Sequence, residues 1–170
     1  MKVEFKTLNP KLEKFGTPAY ATEGSAAVDI RALIDEPVTI RPGETFTFDT
    51  GFAMDIGRPD IAAIVMPRSG LGAKQGLVLA NTNGLIDSDY QGPISCVALN
   101  RNRKTIRSSR FFKTFLPFLH VEEKSVTVNP GDRIFQMYFL PVVQAKFVAV
   151  DEFSRGTERG SGGYGSTGRA

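Results

Sequence analysis

Val38–Met54, VTIRPGETFTFDTGFAM, decides how this chain folds. A β-rich run stops at Pro42-Gly43, and the strand that resumes carries Phe46, Phe48 and Phe52 at period two, the spacing that puts one face of a strand into a core. Ser125–Val143, SVTVNPGDRIFQMYFLPVV, repeats the plan around Pro130-Gly131, although the match is too short to count as an internal repeat. Ile61–Pro67, IAAIVMP, reads as a buried strand ended by proline. Leu85–Ile86 and Ile94–Leu99 read as two hairpin arms around a polar stretch. Only SGLGAKQG, Ser69–Gly76, reads as helix, with Ser69 as N-cap and Gly76 as stop. Spaced short strands with a single helical turn predict an all-β sandwich or jelly roll.

The composition frames the function. A chain of 170 residues with 41% hydrophobic and 23% charged residues builds a globular core. Cys96 is the only cysteine, so an internal disulfide is impossible, which suits a reducing cytoplasm. The opening MKVEFKTLNP has lysines with no apolar core after them, unlike a signal peptide, and the apolar runs are too short to span a bilayer. The expectation is a soluble cytoplasmic protein with no membrane contact. Charge is uneven: residues 101–120 hold Arg101, Arg103, Lys104, Arg107, Arg110 and Lys113 and no acid, more than the whole formal excess of +3.

Three stretches carry possible chemistry. In PRSGLGAKQG, Pro67 ends a strand and Arg68 meets the N-terminal end of the helical turn. A guanidinium beside free N–H groups grips phosphate, and Ser69 adds a donor; the plain alternative is a capped helix with a surface arginine. In RGSGGYGSTG, Arg159 supplies charge, Ser166 and Thr167 hydroxyls, and the glycines close backbone approach. Tyr164 has no core to enter and is free to stack on a ring. The alternative there is a disordered terminus. In GLIDSDYQG, Gly84–Gly92, a backbone edge at Leu85 and Ile86 can read a pyrimidine as another strand would, helped by the Asn81 amide, with a carboxylate behind it to take a proton from water. Asp87 and Asp89 would share a strand face by period two, so one of them meets the substrate beside Tyr90. A merely polar hairpin is the competing reading.

Taken in order, SAAVDIRA (Ser25–Ala32), PRSGLGAKQG, NGLIDSDYQG (Asn83–Gly92), PGDRIFQM (Pro130–Met137) and RGSGGYGSTG resemble the five motifs of the homotrimeric dUTPases, over nearly the whole chain except about 101–122. Tyr164 stands where that family usually has Phe, and Pro93 follows Gly92 where a polar residue is common. The resemblance implies a distorted jelly-roll β-sandwich or barrel with one short helix, assembling as a trimer with shared sites. The β domain would cover 1–153 and a flexible Gly-rich arm 154–170. The implied reaction is attack of water on the α-phosphate of dUTP, giving dUMP for dTTP synthesis and pyrophosphate. Asp87 would be the base; Arg68, Ser69 and Gly70 would hold phosphates; Asn81, Gly84, Leu85, Ile86 and Ser95 would read uracil; Tyr90 would pack under the deoxyribose. Gln136 would arrange phosphates and metal-bound water, with Asp29 supporting that network. Arg159 with Gly165, Ser166 and Thr167 would close over the γ-phosphate while Tyr164 stacks on the base. Mg²⁺ would ride on the triphosphate and be held through water, with Asp29 and Gln136 in its outer shell.

Two neighbouring activities frame that reading. A dCTP deaminase would share the fold, but the DSDY arrangement with Tyr90 favours dUTP. A nucleotide-gated regulator would use the basic insert. That insert mixes its cations with Phe111, Phe112, Phe115 and Phe118. Either the phenylalanines cover trimer surface while the cations stay solvated, or the segment binds nucleic acid or a regulatory protein.

Overall fold

A computed structural model describes residues 1–108 and 119–163. Tyr164, Gly165, Ser166 and Thr167 lie outside the described residues, as do Arg110, Lys113 and the insert phenylalanines. The strands run in order as β1 (Glu4–Thr7), β2 (Val28–Arg31), β3 (Val38–Ile40), β4 (Thr45–Asp49), β5 (Phe52–Asp55), β6 (Ile61–Pro67) and β7 (Leu77–Leu79). They continue as β8 (Gly84–Ile86), β9 (Ser95–Asn100), β10 (Thr105–Ser108), β11 (Leu119–Glu122), β12 (Val126–Val128) and β13 (Arg133–Pro141). Two antiparallel sheets, β2-β13-β6-β8 and β4-β9-β7, dominate, with the short ladders β1–β5, β3–β12 and β10–β11 beside them. All-β architecture was the expectation, and it holds.

Both sheets feed one core. Phe48 from β4, Leu77 from β7 and Phe135 from β13 are almost fully buried, and Phe48 packs on Phe46 with ring centroids 4.7 Å apart. Phe52 is as buried as Phe48, so the period-two phenylalanines face inward as expected, with Phe46 at the margin. Each such burial is worth roughly 1.5–3 kcal/mol.

The two Pro-Gly turns are near copies of each other. Gly43 and Gly131 have φ of 83° and 81°, and the N–H of Glu44 and of Asp132 returns to the carbonyl of Arg41 and of Asn129. In each, the acid at the fourth position accepts the N–H of the first: Arg41 to Glu44 at 3.0 Å and Asn129 to Asp132 at 2.8 Å. Proline followed by a positive-φ glycine makes a type II turn, which splays its flanking strands instead of matching their twist. Neither turn therefore closes a paired hairpin. β3 pairs with β12, β4 with β9, and β13 with β2 and β6, so the turns act as corners between ladders.

Two other expectations change. The arms at Leu85–Ile86 and Ile94–Leu99 do not pair: β8 bonds β6 while β9 bonds β4 and β7, so the polar stretch crosses between sheets. Helix is also more than the one short segment expected. Lys11–Phe15 forms an α-helical turn, opened by Asn9, whose Oδ1 accepts the Lys11 N–H at 3.0 Å, and closed by Gly16 at φ 101°. Leu71–Gln75 forms a wide π-type turn that stops at Gly76, φ 82°, as the glycine predicts.

Candidate active site

β8 is an edge strand. Its ladder to β6 uses one side only, and Gly84 fits there because a Cβ would lie 3.3 Å from the Val65 Cβ. Gly84, Leu85, Ile86 and Asp87 line a cavity of about 260 Å³ between the sheets. Asn81 and Tyr90 stand on its wall, and Ser95 closes it from β9. Leu85 is 62% exposed, so its side chain leaves the main-chain edge open rather than covering it. An open strand edge with an amide side chain nearby can hydrogen-bond a planar polar ring as a further strand would.

After Ile86 the chain leaves the strand. The Tyr90 N–H closes a turn on the Asp87 carbonyl at 3.2 Å, so the shared strand face expected for Asp87 and Asp89 does not exist. Asp-Ser-Asp is turn-forming chemistry, and that local preference overrides the period-two pattern. Asp87 is exposed at the cavity mouth, whereas Asp89 faces only the adjacent cleft. Cys96 also borders the cavity, a residue that no motif marks for that place; burial pushes its thiol up to about 12, which keeps it un-ionised.

A second cleft, of about 460 Å³, gathers Asp29, Arg68, Arg133 and Gln136. Register makes the neighbourhood: Gln136 on β13 sits opposite Asp29 on β2 and Met66 on β6. The ladder slips between Arg133 and Phe135, and the bulge turns Arg133 to the same side as Gln136 although three positions separate them. Asp29 takes the Arg68 Nε on Oδ1 at 2.9 Å and the Arg133 guanidinium on Oδ2 at 3.1 Å. Arg68 thus turns to the Asp29 carboxylate. The helical turn begins one residue early, with the Arg68 carbonyl accepting the Gly72 N–H at 2.9 Å, so Ser69 lies inside the first turn and makes no cap bond. Ser69 and Gly70 are exposed beside it.

Within one chain these two groups line separate cavities. Arg159 lines neither; its Nε donates to the Gly162 carbonyl at 2.9 Å within its own exposed turn. Two guanidiniums aligned on one carboxylate suit a polyanion, and the strand-edge cavity suits a flat heterocycle, each with its donors already in place.

Known proteins share the plan. A family model described as dUTPase matches residues 13–110 and 118–168. Deoxyuridine 5'-triphosphate nucleotidohydrolases of Coxiella burnetii and Serratia proteamaculans are each 46% identical, over 98% and 99% of this chain and 97% of their own length. Among solved structures, a variant of the Staphylococcus bacteriophage 80alpha dUTPase with dUpNHpp superposes with a TM-score of 0.78 at 25% identity, covering 99% of both chains. Matched by that model over most of its length and by full-length relatives of a single activity, the chain belongs to the dUTPase family.

Proposed function

We propose that the chain is a dUTP diphosphatase, hydrolysing dUTP to dUMP and pyrophosphate by attack of water on the α-phosphate. The observation that carries this is the free edge of β8, opening on a cavity that has Asp87 and Tyr90 at its mouth.

Uracil enters as an extra strand would. Its alternating carbonyl and N–H edge pairs with the main chain at Leu85 and Ile86 and with the Asn81 amide, with Ser95 completing the set; cytosine exchanges donor and acceptor at ring positions 3 and 4 of that edge. Tyr90 lies under the deoxyribose. Asp87 accepts the proton of the attacking water, the new P–O bond forms at the α-phosphorus, and the bridge to the β-phosphate breaks with pyrophosphate leaving. Arg68, Ser69 and Gly70 bind the phosphates, Asp29 holds Arg68 in line, and Gln136 orients phosphate and water. Arg159 with Gly165, Ser166 and Thr167 closes over the γ-phosphate, and Tyr164 stacks on the base. Positioning and charge neutralisation dominate phosphoryl chemistry of this kind, and a general base adds about 10²–10⁴ in rate.

The residues fit a hydrated Mg²⁺ carried on the triphosphate. Both Asp29 oxygens are engaged by guanidiniums, which fits a metal held through its waters, and Asp29 and Gln136 would stand in its outer shell. Bound Mg²⁺ supplies charge neutralisation at the phosphates.

The separation of the two clefts supports an assembly with shared sites. The base cavity of one copy meets the phosphate cleft of another in a homotrimer, and the 154–170 arm closes the site from a β domain of residues 1–153. Val143, Phe147 and Phe153, each more than 90% exposed on the irregular segment after β13, favour burial against a neighbouring copy. No helix among the described residues is long and apolar enough to cross a membrane.

The test is pyrophosphate release from dUTP by the full chain and by Asp87→Asn. The variant is expected to bind dUpNHpp normally and to lose at least about 10²-fold in kcat. Unchanged kcat would end the assignment of Asp87 as base.

A further inference from the structure

We propose that Gly92 and the Pro93 carbonyl together set the position of the Tyr90 ring, making Gly92 a specificity-determining residue against ribonucleotides; this rests on Tyr90 lying under the sugar.

Tyr90 is 47% exposed, so packing on a core does not fix its ring. Two local contacts do. Its Oη donates to the Pro93 carbonyl at 2.9 Å, and its N–H closes the turn on Asp87 at 3.2 Å. Between those anchors the ring lies directly on Gly92. A Cβ built there would stand 2.6 Å from Oη, 2.7 Å from Cζ and 3.0 Å from Cε2 of Tyr90. Distances below 3.0 Å are not tolerated, so something must move. Gly92 does not have the positive φ that marks Gly43, Gly76 and Gly131. Its glycine is therefore required for space, not for backbone conformation.

The yielding part is the half-exposed ring, because Pro93 is tied into the loop that leads to Ile94, whose N–H bonds the Phe52 carbonyl at 3.1 Å and whose carbonyl accepts the Thr50 hydroxyl at 2.8 Å. An alanine at 92 displaces the phenol from the Pro93 carbonyl. The wall beneath the sugar then loses its fixed position and discriminates less sharply against a 2′-hydroxyl. Base reading rests on β8, Asn81 and Ser95, none of which is among the atoms nearest a Cβ at Gly92, and stays in place.

The experiment compares kcat/KM for dUTP, UTP and dCTP in the full-length wild type, Gly92→Ala, Tyr90→Phe and Tyr90→Ala. A steric wall rejects an added hydroxyl by about 10²-fold, so displacing it is expected to lower the dUTP-over-UTP ratio by roughly tenfold or more in Gly92→Ala. Tyr90→Phe, which keeps the ring but not its bond to Pro93, is expected to shift the same ratio in the same direction by less. The dUTP-over-dCTP ratio is expected to hold in both; a fall in both ratios together would mean general loosening and would overturn the inference. If Tyr90→Ala lowers the sugar ratio while Gly92→Ala leaves it unchanged, Gly92 is not the gauge and only this inference fails. If Tyr90→Ala leaves it unchanged too, the reading of Tyr90 as the sugar platform fails with it. Should Gly92→Ala not fold, an unchanged sugar ratio in Tyr90→Phe is sufficient to reject the proposal.

Discussion

The Arg68 Nε lies 2.9 Å from Oδ1 of Asp29, and the same carboxylate holds Arg133 through its other oxygen at 3.1 Å. One acid thus aligns two cations along a cleft that Gln136 also enters. The guanidiniums are 34% and 44% exposed, so solvent screens the pairing and its worth lies in orientation more than in Coulomb energy. Asp29→Asn is expected to raise KM for dUTP by about tenfold, the scale of one charge-assisted hydrogen bond. Affinity for dUMP, which lacks the outer phosphates, is expected to change little. Equal losses for dUMP and dUTP, measured by titration and steady-state kinetics, would move Asp29 from phosphate orientation to general support of the fold.

Removal of residues 159–170 separates chemistry from stability. Among the described residues Arg159 bonds only within its own turn, to Gly162, and residues 143–158 before it are exposed throughout. No described residue of this arm belongs to the core, so the melting temperature is expected to stay within about 2 °C, since surface changes away from buried features are worth about ±0.5 kcal/mol. Turnover of dUTP is expected to fall by at least about 10²-fold with loss of closure over the phosphates. Full activity in the truncated chain would remove the arm from the mechanism.

What the sequence announced and what it hid divide by range. Phe48 and Phe52 were legible because side-chain alternation is a local property, and the Pro-Gly turns were legible because proline and glycine fix their own φ. Pairing was not. Thr39 meets Thr127 across 88 positions, and no local pattern says that β3 takes β12 when β4 follows immediately. The cavity residues were found through motifs that carry their own spacing. Arg133 sits within one of those motifs yet was missed, because its reach to Asp29 depends on a bulge that nothing nearby in the sequence marks. The helix at Lys11–Phe15 is too short for a helical period to show, although Asn9-Pro10 before it and Gly16 after it were usable punctuation.

Asn100 was equally invisible and is the sharper stability test. Its side chain is completely buried at the end of β9, where Nδ2 donates to the Ile40 carbonyl at 2.9 Å and the Lys124 carbonyl at 3.0 Å, while Oδ1 accepts the Asn102 N–H at 3.0 Å. It therefore ties β3, the root of the basic insert and the return into β12 at one point. Asn100→Ala removes a partner from each of those groups, leaving the Lys124 carbonyl only the Asn102 Nδ2 at 3.2 Å among the described side chains, and is expected to cost about 2–4 kcal/mol, lowering the melting temperature by roughly 5–15 °C. Asn100→Asp, which keeps the shape but places a carboxylate against two carbonyls, is expected to be at least as damaging. A melting temperature within about 2 °C of wild type in both variants would show that the insert root is held by other contacts.

Cys96 gives a pH dependence whose sign is fixed by burial. It is 2% exposed between β4 and β7, and desolvation raises its thiol from an ordinary value near 9.0 to about 12. A group whose pKa is raised by folding contributes its stability fully below the unfolded value and loses it as pH climbs toward the folded one. Stability from this thiol is thus complete below about pH 8 and falls between about 9 and 12, because the unfolded chain ionises first. Lysines and tyrosines titrate in the same range, so the comparison is with Cys96→Ala. That variant is expected to be less stable at neutral pH, from the small cavity it leaves, and to show a shallower decline above pH 9. Native protein at pH 8 is expected to resist a thiol reagent that labels one site per chain in denaturant. Rapid labelling of the folded protein would place the sulfur in contact with the base cavity's solvent, and the alkaline slope would then have to arise elsewhere.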